Sequence, residues 1–348
     1  MRCIIRRTSA VNLLRLLGWK VRELGEVKER VGMIKLSVVT PCYNQVTTLE
    51  ATIRSVLSQG YPNLEYIIID GGSSDGTVDI IRKYAPQLHF WCSEPDEGQY
   101  AAINKGFRHS TGEVMAWLNG DDFYIPGALR AVGSIFGDLA QVEWLTSLAQ
   151  VTADGSGACI DCNKVPGFSR DAFLDGAYLP GGGQQFFSFI QQESTFWRRS
   201  LWERAGPIDP SYALAGDFDL WSRFFRCTSR LYCTPAPLGC FRYLDGQKSG
   251  CGREVYLEEG LRALSRLRRE VNWKRNRVRD LVVKLGVESL PYLPILTNLI
   301  FQSVLSLYSY SALAVVRRKR GRLDAHWQVQ PLRYFRWPLG SFESHFCD

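Results

Sequence analysis

Four short apolar runs follow one another at a near-constant interval, beginning near residues 36, 64, 88 and 113. The first three, "KLSVVTPCYN", "LEYIIID" and "LHFWCSE", are each followed by a polar turn and then by a stretch of helical period; the fourth is "EVMAWL". Strands recurring about every 25 residues with helices between them restrict the chain to βαβ units: an α/β fold with a mostly parallel sheet and helices on both faces. Local signals agree. In "TTLEATIRSVLSQG", Leu49, Ile53, Val56 and Leu57 share one helical face, Thr47 and Glu50 have the spacing of a capping box, and Gly60 with Pro62 ends the helix. "LEYIIID" is too uniformly apolar for a surface strand, which predicts burial on both faces.

Ligands of open α/β sheets bind beyond the carboxyl ends of the strands. At those ends lie Pro41 to Asn44, Asp70, Glu94 to Gln99 and Asn119 to Asp122. No G-x-G-x-x-G follows the first strand and no G-x-x-x-x-G-K-[ST] occurs, so neither a dinucleotide site nor a P-loop is supported. The stretch "WLNGDDFYIP" sets Asp121 beside Asp122. Adjacent carboxylates repel, so they suit a surface turn or a cation; Mg2+ takes one or two protein carboxylates plus substrate phosphates. Asp70 at the neighbouring strand end can accept hydrogen bonds from a ribose or base, and Tyr43 can stack on a base. Together these residues predict a nucleotide–metal cleft. Further on, "AGDFDLWSRFFRC" opens a helix with Asp217 and Asp219 in its first turn, where acids are favourable. Two residues apart, they point to different faces.

Net charge is +7, concentrated in residues 1–30, Arg262 to Arg279 and "RRKRGR" (Arg317 to Arg322), away from the aspartates. Basic ends around an acidic middle suggest contact with an anionic surface. Nucleic acid is not the expected partner, because the basic stretches lack interleaved stacking aromatics. Ten cysteines are scattered and no secretory signal is legible, which predicts reduced thiols and a cytoplasmic location. One CxxC, Cys159 to Cys162, lacks a second pair for zinc and reads as chance or a buried thiol pair. "GGGQQFF" (Gly181 to Phe187) reads as a flexible loop. Glu254 to Asp280 reads as a charged helix, and Ser289 to Val316 carries no charge. That length could span a bilayer, but Pro291, Pro294, Asn298 and Gln302 dilute it; an interfacial segment or a packed helical pair remains open.

From Leu36 to about Lys248 the chain resembles the family 2 glycosyltransferases, which have the GT-A nucleotide-sugar fold. The resemblance is carried by "SVVTPCYNQVTTLEATIRSVLSQGYPNLEYIIIDGGSSDGT", "EPDEGQYAAINKG", "GEVMAWLNGDDFYIPGAL", "ESTFWRRSLWERAG" and "DFDLWSRF". It implies a nucleotide-diphosphate sugar donor, a divalent metal (Mn2+ or Mg2+) and inversion at the anomeric carbon. By position it implies that Pro41, Tyr43 and Asp70 contact the nucleoside, that Gln99 and Asn104 lie near the diphosphate or donor sugar, and that Asp121 and Asp122 form the metal motif, with Asp122 the ligand. Asp217 matches the general base. The chain departs from the family's pattern at Asn119 and Gly216, where acids are usual. Arg242 and Lys248 could close over the diphosphate or lie at a surface strand end. "QPLRY" (Gln330 to Tyr334) is only a chance likeness to the motif of processive polymerases, so a single, non-processive transfer is implied. The expected organisation is a basic extension over residues 1–33, a glycosyltransferase domain over 34–250, and a helical, basic and apolar tail over 251–348. The acceptor is expected to be a sugar or lipid-linked hydroxyl, with the enzyme peripheral to the inner face of a membrane. Other readings are a sugar nucleotidyltransferase, whose Gly-rich basic signature "TPCYNQ" lacks, and a catalytically weak glycan- or nucleotide-binding module.

Overall fold

A computed structural model describes residues 33–165, 167–182, 188–247, 252–274, 310–318, 327–336 and 342–346. The expected extension over 1–33 therefore lies, Met33 apart, outside the described residues, as does most of the Gly181–Phe187 loop. Strand β1 (Leu36–Cys42) is buried at all seven positions. It is followed by α1 (Leu49–Leu57), β2 (Leu64–Asp70), α2 (Thr77–Tyr84), β3 (Phe90–Ser93), α3 (Gln99–Arg108) and β4 (Val114–Trp117). β2, β1 and β4 pair in parallel, with β3 added parallel to β2. The βαβ rhythm of the sequence is thus what builds this half of the sheet.

Successive strand residues point to opposite faces, and the two faces carry separate cores. Val39, Ile67, Ile69, Met115 and Trp117 pack on one side, together with α3. Val38, Ile68, Val114 and Ala116 pack on the other, against α1 and α4 (Ala128–Asp138). Beyond β4 the sheet is mixed. β6 (Trp144–Ser147) and β9 (Phe196–Arg198) enter with β9 antiparallel to both β4 and β6. β10 (Tyr232–Thr234) then runs parallel to β6. A second sheet has the order β5 (Phe123–Tyr124), β11 (Gly239–Arg242), β7 (Ala149–Ala153) and β8 (Cys159–Lys164). Two short helices, α5 (Arg170–Asp175) and α6 (Arg199–Ala205), precede α7 (Gly216–Cys227). Four tryptophans tie β4 to α7: Trp117 stacks on Trp221 at 5.9 Å, and Trp144 and Trp197 complete the cluster. The strand end that carries the paired aspartates is therefore fixed against the helix that carries Asp217.

Three expectations are corrected. The Thr47–Glu50 capping box does not form: α1 starts after Thr48 without a side-chain cap. Glu50 instead binds Lys83 and Tyr84 of α2, and the Thr48 hydroxyl is turned to Gly120 O. Of the two readings of the CxxC, a buried thiol pair is excluded, because Cys159 and Cys162 are exposed on β8, and chance remains. The tail is not helical throughout. It contributes α8 (Arg253–Glu270), whose Ala263, Leu264 and Leu267 join the core beside α7. It then adds three strands to the edge of the large sheet, β12 (Tyr310–Arg318), β13 (Trp327–Arg336) and β14 (Phe342–Phe346). The last residues of the uncharged run, and the first arginines of the basic run, lie in β12; residues 275–309 and 319–326 are outside the described residues. No described helix is long and apolar enough to cross a membrane.

Candidate active site

The loops after β1 and β2 are laced into one wall. Asn44 N donates to Ser73 Oγ at 2.7 Å, and Ser74 N returns a bond to Asn44 Oδ1 at 3.0 Å. Gln45 N binds Thr77 Oγ1 and Val46 N binds Asp75 Oδ2. Asp70 sits at the centre of this wall, fully buried. Its carboxylate accepts from Gly72 N, Ser73 N, the Ser73 hydroxyl and the Ser93 hydroxyl. The structure thus uses Asp70 to shape the loop, whereas sequence reasoning gave it only a ligand contact. Pro41 pairs with Ile69 across the strands, and Tyr43 projects from the wall with 63% of its surface exposed.

The "NGDD" loop is pinned from α1. Thr48 and Thr52 hydroxyls donate to Gly120 O at 2.9 and 3.0 Å, and Thr52 also reaches Asp122 O. A Cβ at Gly120 would meet Gln45 Oε1 at 2.0 Å and Cys42 Cβ at 3.2 Å, so a side chain there would push the Gln45 amide aside. Asn119 bridges two expected site residues: its Oδ1 accepts from Gln99 Nε2 at 2.7 Å and its Nδ2 donates to Asp122 Oδ2 at 3.2 Å. The amide at this position therefore orients the carboxylate that follows. Asp122 Oδ1 accepts the Arg242 N–H at 3.0 Å, and Asp121 Oδ2 accepts from Gln247 Nε2. Arg242 is buried, not a surface strand end, with its guanidinium over the Phe123 ring. Lys248 lies outside the described residues. Asn104 is turned away from the cleft's polar groups, and both ends of its amide bind the Ile208 backbone. A cleft of about 290 Å³, lined by Glu97 to Tyr100 and Pro210 to Ala213, opens between the start of α3 and the loop before α7.

Asp217 is the second residue of α7, with its Oδ1 accepting the Phe218 N–H at 2.7 Å. Burial pushes its carboxyl up to about 7, opposed by those N–H bonds and reinforced by Asp219 and Glu259. Asp219 points elsewhere, into a buried pairing with Arg223 at 2.9 Å and with Arg266. Burial also holds the Asp122 carboxyl well above its usual range, with Asp121 and Glu193 adding to the effect. Glu193 was singled out by no sequence argument, although it opens one of the family-like stretches. It comes from the turn Gln192–Ser194, which Gln192 anchors to Trp117 O at the end of β4. It is 4% exposed, its Oε1 has no partner, and burial raises its carboxyl to about 8, with Asp217 and Asp121 contributing. Asp121 and Asp122 after β4 and Glu193 before β9 thus act electrostatically on one another, and Glu193 also acts on Asp217 of α7.

Two buried acids, one of them with an unpartnered oxygen, fit a place where a cation lodges. Among the described residues no three His, Cys, Asp or Glu side chains close around one point. The donor set fits an ion that draws one or two carboxylates from the protein and its other ligands from phosphate and water.

The glycine before Asp217 also has a reason. A Cβ at Gly216 would lie 2.6 Å from the Tyr100 ring, so the acid usual in the resembled family has no room here. Gly216→Ala is expected to destabilise the fold by about 1–3 kcal/mol through overpacking. Denaturant unfolding checks this; wild-type stability would show that the Tyr100 ring yields.

Residues 37–138 match the profile of "Glycosyl transferase family 2". Over 211 residues the chain is 28% identical to an uncharacterized glycosyltransferase of Mycobacterium tuberculosis, covering 59% of this chain and 72% of that protein. Over 90 residues it is 39% identical to the putative teichuronic acid biosynthesis glycosyltransferase TuaG of Bacillus subtilis, covering 25% of this chain and 36% of that one. Among solved structures, mannosyltransferase PcManGT from Pyrobaculum calidifontis, in complex with GDP-Man and Mn2+, aligns with a TM-score of 0.45 at 18% identity. That alignment covers 79% of this chain and 86% of the other.

Proposed function

We infer that the chain is a glycosyltransferase of family 2 and that it moves one sugar from a nucleotide-diphosphate donor to an acceptor hydroxyl with inversion. The observation that carries this reading is two buried acids beside the end of β4: Asp122, held by Asn119 and the Arg242 backbone N–H, and Glu193, whose Oε1 has no partner. Asp122, with Asp121 beside it, would hold Mn2+ or Mg2+. A divalent cation bound there supplies neutralising charge to the departing diphosphate. Pro41, Tyr43 and the loop shaped by Asp70 bound the nucleoside, with Tyr43 free to stack on the base. Gln99, tied to Asn119, faces the diphosphate or donor sugar; Asn104 acts behind it, through Ile208. Asp217 takes the proton of the acceptor hydroxyl as it attacks. A group with a proton affinity near neutrality is suited to that exchange. A thermal-shift screen of nucleotide sugars with and without Mn2+ tests the reading. A donor at about 100 times its Kd stabilises the fold by about 2.7 kcal/mol. No shift from any nucleotide sugar or nucleoside diphosphate with the cation present would sink it.

The acceptor proposed is lipid-linked, in surface polysaccharide assembly, with the basic run at Arg317 to Arg322 against an anionic cytoplasmic leaflet. The support is that run and the likeness to a protein named for teichuronic acid synthesis. Each basic residue near such a surface contributes ~1 kcal/mol. The full chain is expected to sediment with anionic vesicles at low salt and to be released at high salt. Equal recovery with neutral vesicles at low salt would remove the membrane from the account.

A further inference from the structure

The loop ahead of α7 is tied down from two other elements. Glu259, in the second turn of α8, accepts the N–H groups of Ala213, Leu214 and Ala215 at 2.7, 2.9 and 2.8 Å. From α3, the Tyr100 hydroxyl accepts the Gly216 N–H at 2.9 Å and donates to Leu214 O at 2.6 Å. Four consecutive amides thus end on one carboxylate and one phenol, and Asp217 is the next residue. The helix has no cap of its own: Ala215 precedes it, without a side-chain acceptor. Glu259, from a different helix, ties down the three residues that lead into α7 through charge-assisted bonds, which are stronger than neutral ones, and the first helical amide, that of Gly216, goes to Tyr100. Its charge also opposes the positive end of α7, which by itself would favour an ionised, weakly basic Asp217.

We propose that Glu259 is a positioning residue for sugar transfer: its carboxylate holds the backbone that presents Asp217. The proposal rests on Asp217 being the base. It also brings α8, from the segment expected to be a tail, into the working part of the enzyme. The groups that act electrostatically on Asp217 are Asp219 on its own helix, itself turned away and paired with Arg223 and Arg266, Tyr100 from α3, Tyr256 and Glu259 from α8, and Glu193 from the turn before β9. Burial is the main cause that raises the Asp217 carboxyl to about 7; its backbone N–H bonds oppose it, and Asp219 and Glu259 add smaller upward contributions. A base works ionised, so the rate climbs as pH rises through that value. Removing the Glu259 charge lowers the proton affinity of Asp217 and moves the acid limb to lower pH.

The test is the pH profile of kcat, with donor KM, for the full chain, Glu259→Gln, Glu259→Asp and Asp217→Asn. The Gln variant is expected to lose about ten- to a hundredfold in kcat through a misplaced base, with donor KM unchanged and the limb displaced to lower pH. Hydrogen exchange of the peptide holding residues 213–216 should quicken in the same variant. The Asp variant, one methylene shorter but still charged, should lose kcat and keep the wild-type limb. A folded Gln variant with the wild-type limb overturns the proposal, since a purely structural tie predicts that result. If the Gln variant does not fold, an Asp variant with wild-type kcat overturns it. Asp217→Asn separates the two readings: an active variant that keeps the limb shows that the base lies elsewhere, whatever Glu259 does.

Discussion

Asp217→Asn is expected to lower turnover by about 10²–10⁴-fold, the usual cost of losing a general base, while donor affinity stays at the wild-type level. The amide keeps an oxygen for the Phe218 N–H, so the helix start survives and the loss falls on proton transfer. Asp219→Asn should behave in the opposite way. Its carboxylate is fully buried between Arg223 and Arg266, and neutralising it strands a buried guanidinium. Breaking one side of such a pair costs about 3–5 kcal/mol, so this variant should lose stability and keep much of its turnover per folded molecule. Turnover, donor affinity and unfolding measured on both variants decide between them. A stable, inactive Asp219→Asn with normal donor binding would mean that the wrong aspartate has been chosen.

Asp122→Asn is expected to weaken Mn2+-dependent binding of a nucleoside diphosphate by more than about tenfold, since even outer-shell changes at metal sites cost 10–100-fold. Asparagine is the informative substitution because it retains an acceptor for the Arg242 N–H. Asp122→Ala leaves that buried donor unsatisfied, which adds about 1–3 kcal/mol of instability and confuses the result. Calorimetry of the nucleoside diphosphate, with and without Mn2+, reads the effect. Unchanged affinity in Asp122→Asn would remove the metal assignment.

The strands β1 to β4 were legible because their spacing and apolar pattern are local properties. Asp121, Asp122 and Asp217 were legible because they occupy strand and helix ends, where such folds bind ligands. What stayed hidden depends on contacts between distant residues. Glu193 acquires its meaning only when Gln192 reaches Trp117 and carries the turn to the end of β4. Gly216 looked like a missing acid until the Tyr100 ring, from α3, filled the space beside it. The capping-box spacing at Thr47 misled because tertiary bonds claimed its neighbours: Thr48 holds Gly120 and Glu50 holds Lys83. The tail was misread for a similar reason. An uncharged run has no strand signature by itself, and β12 is paired by β10 and β13, which lie far from it in the chain or after it.

The most direct test of the account is release of nucleoside diphosphate from the nucleotide sugar chosen by the thermal-shift screen, with water taking the sugar in place of the acceptor hydroxyl and giving its proton to Asp217. The wild-type chain should release it with Mn2+ present and lose that activity on chelation, and Asp217→Asn should be slower by about 10²–10⁴-fold at equal donor occupancy. Release at the wild-type rate by Asp217→Asn, or by the chelated enzyme, would contradict it.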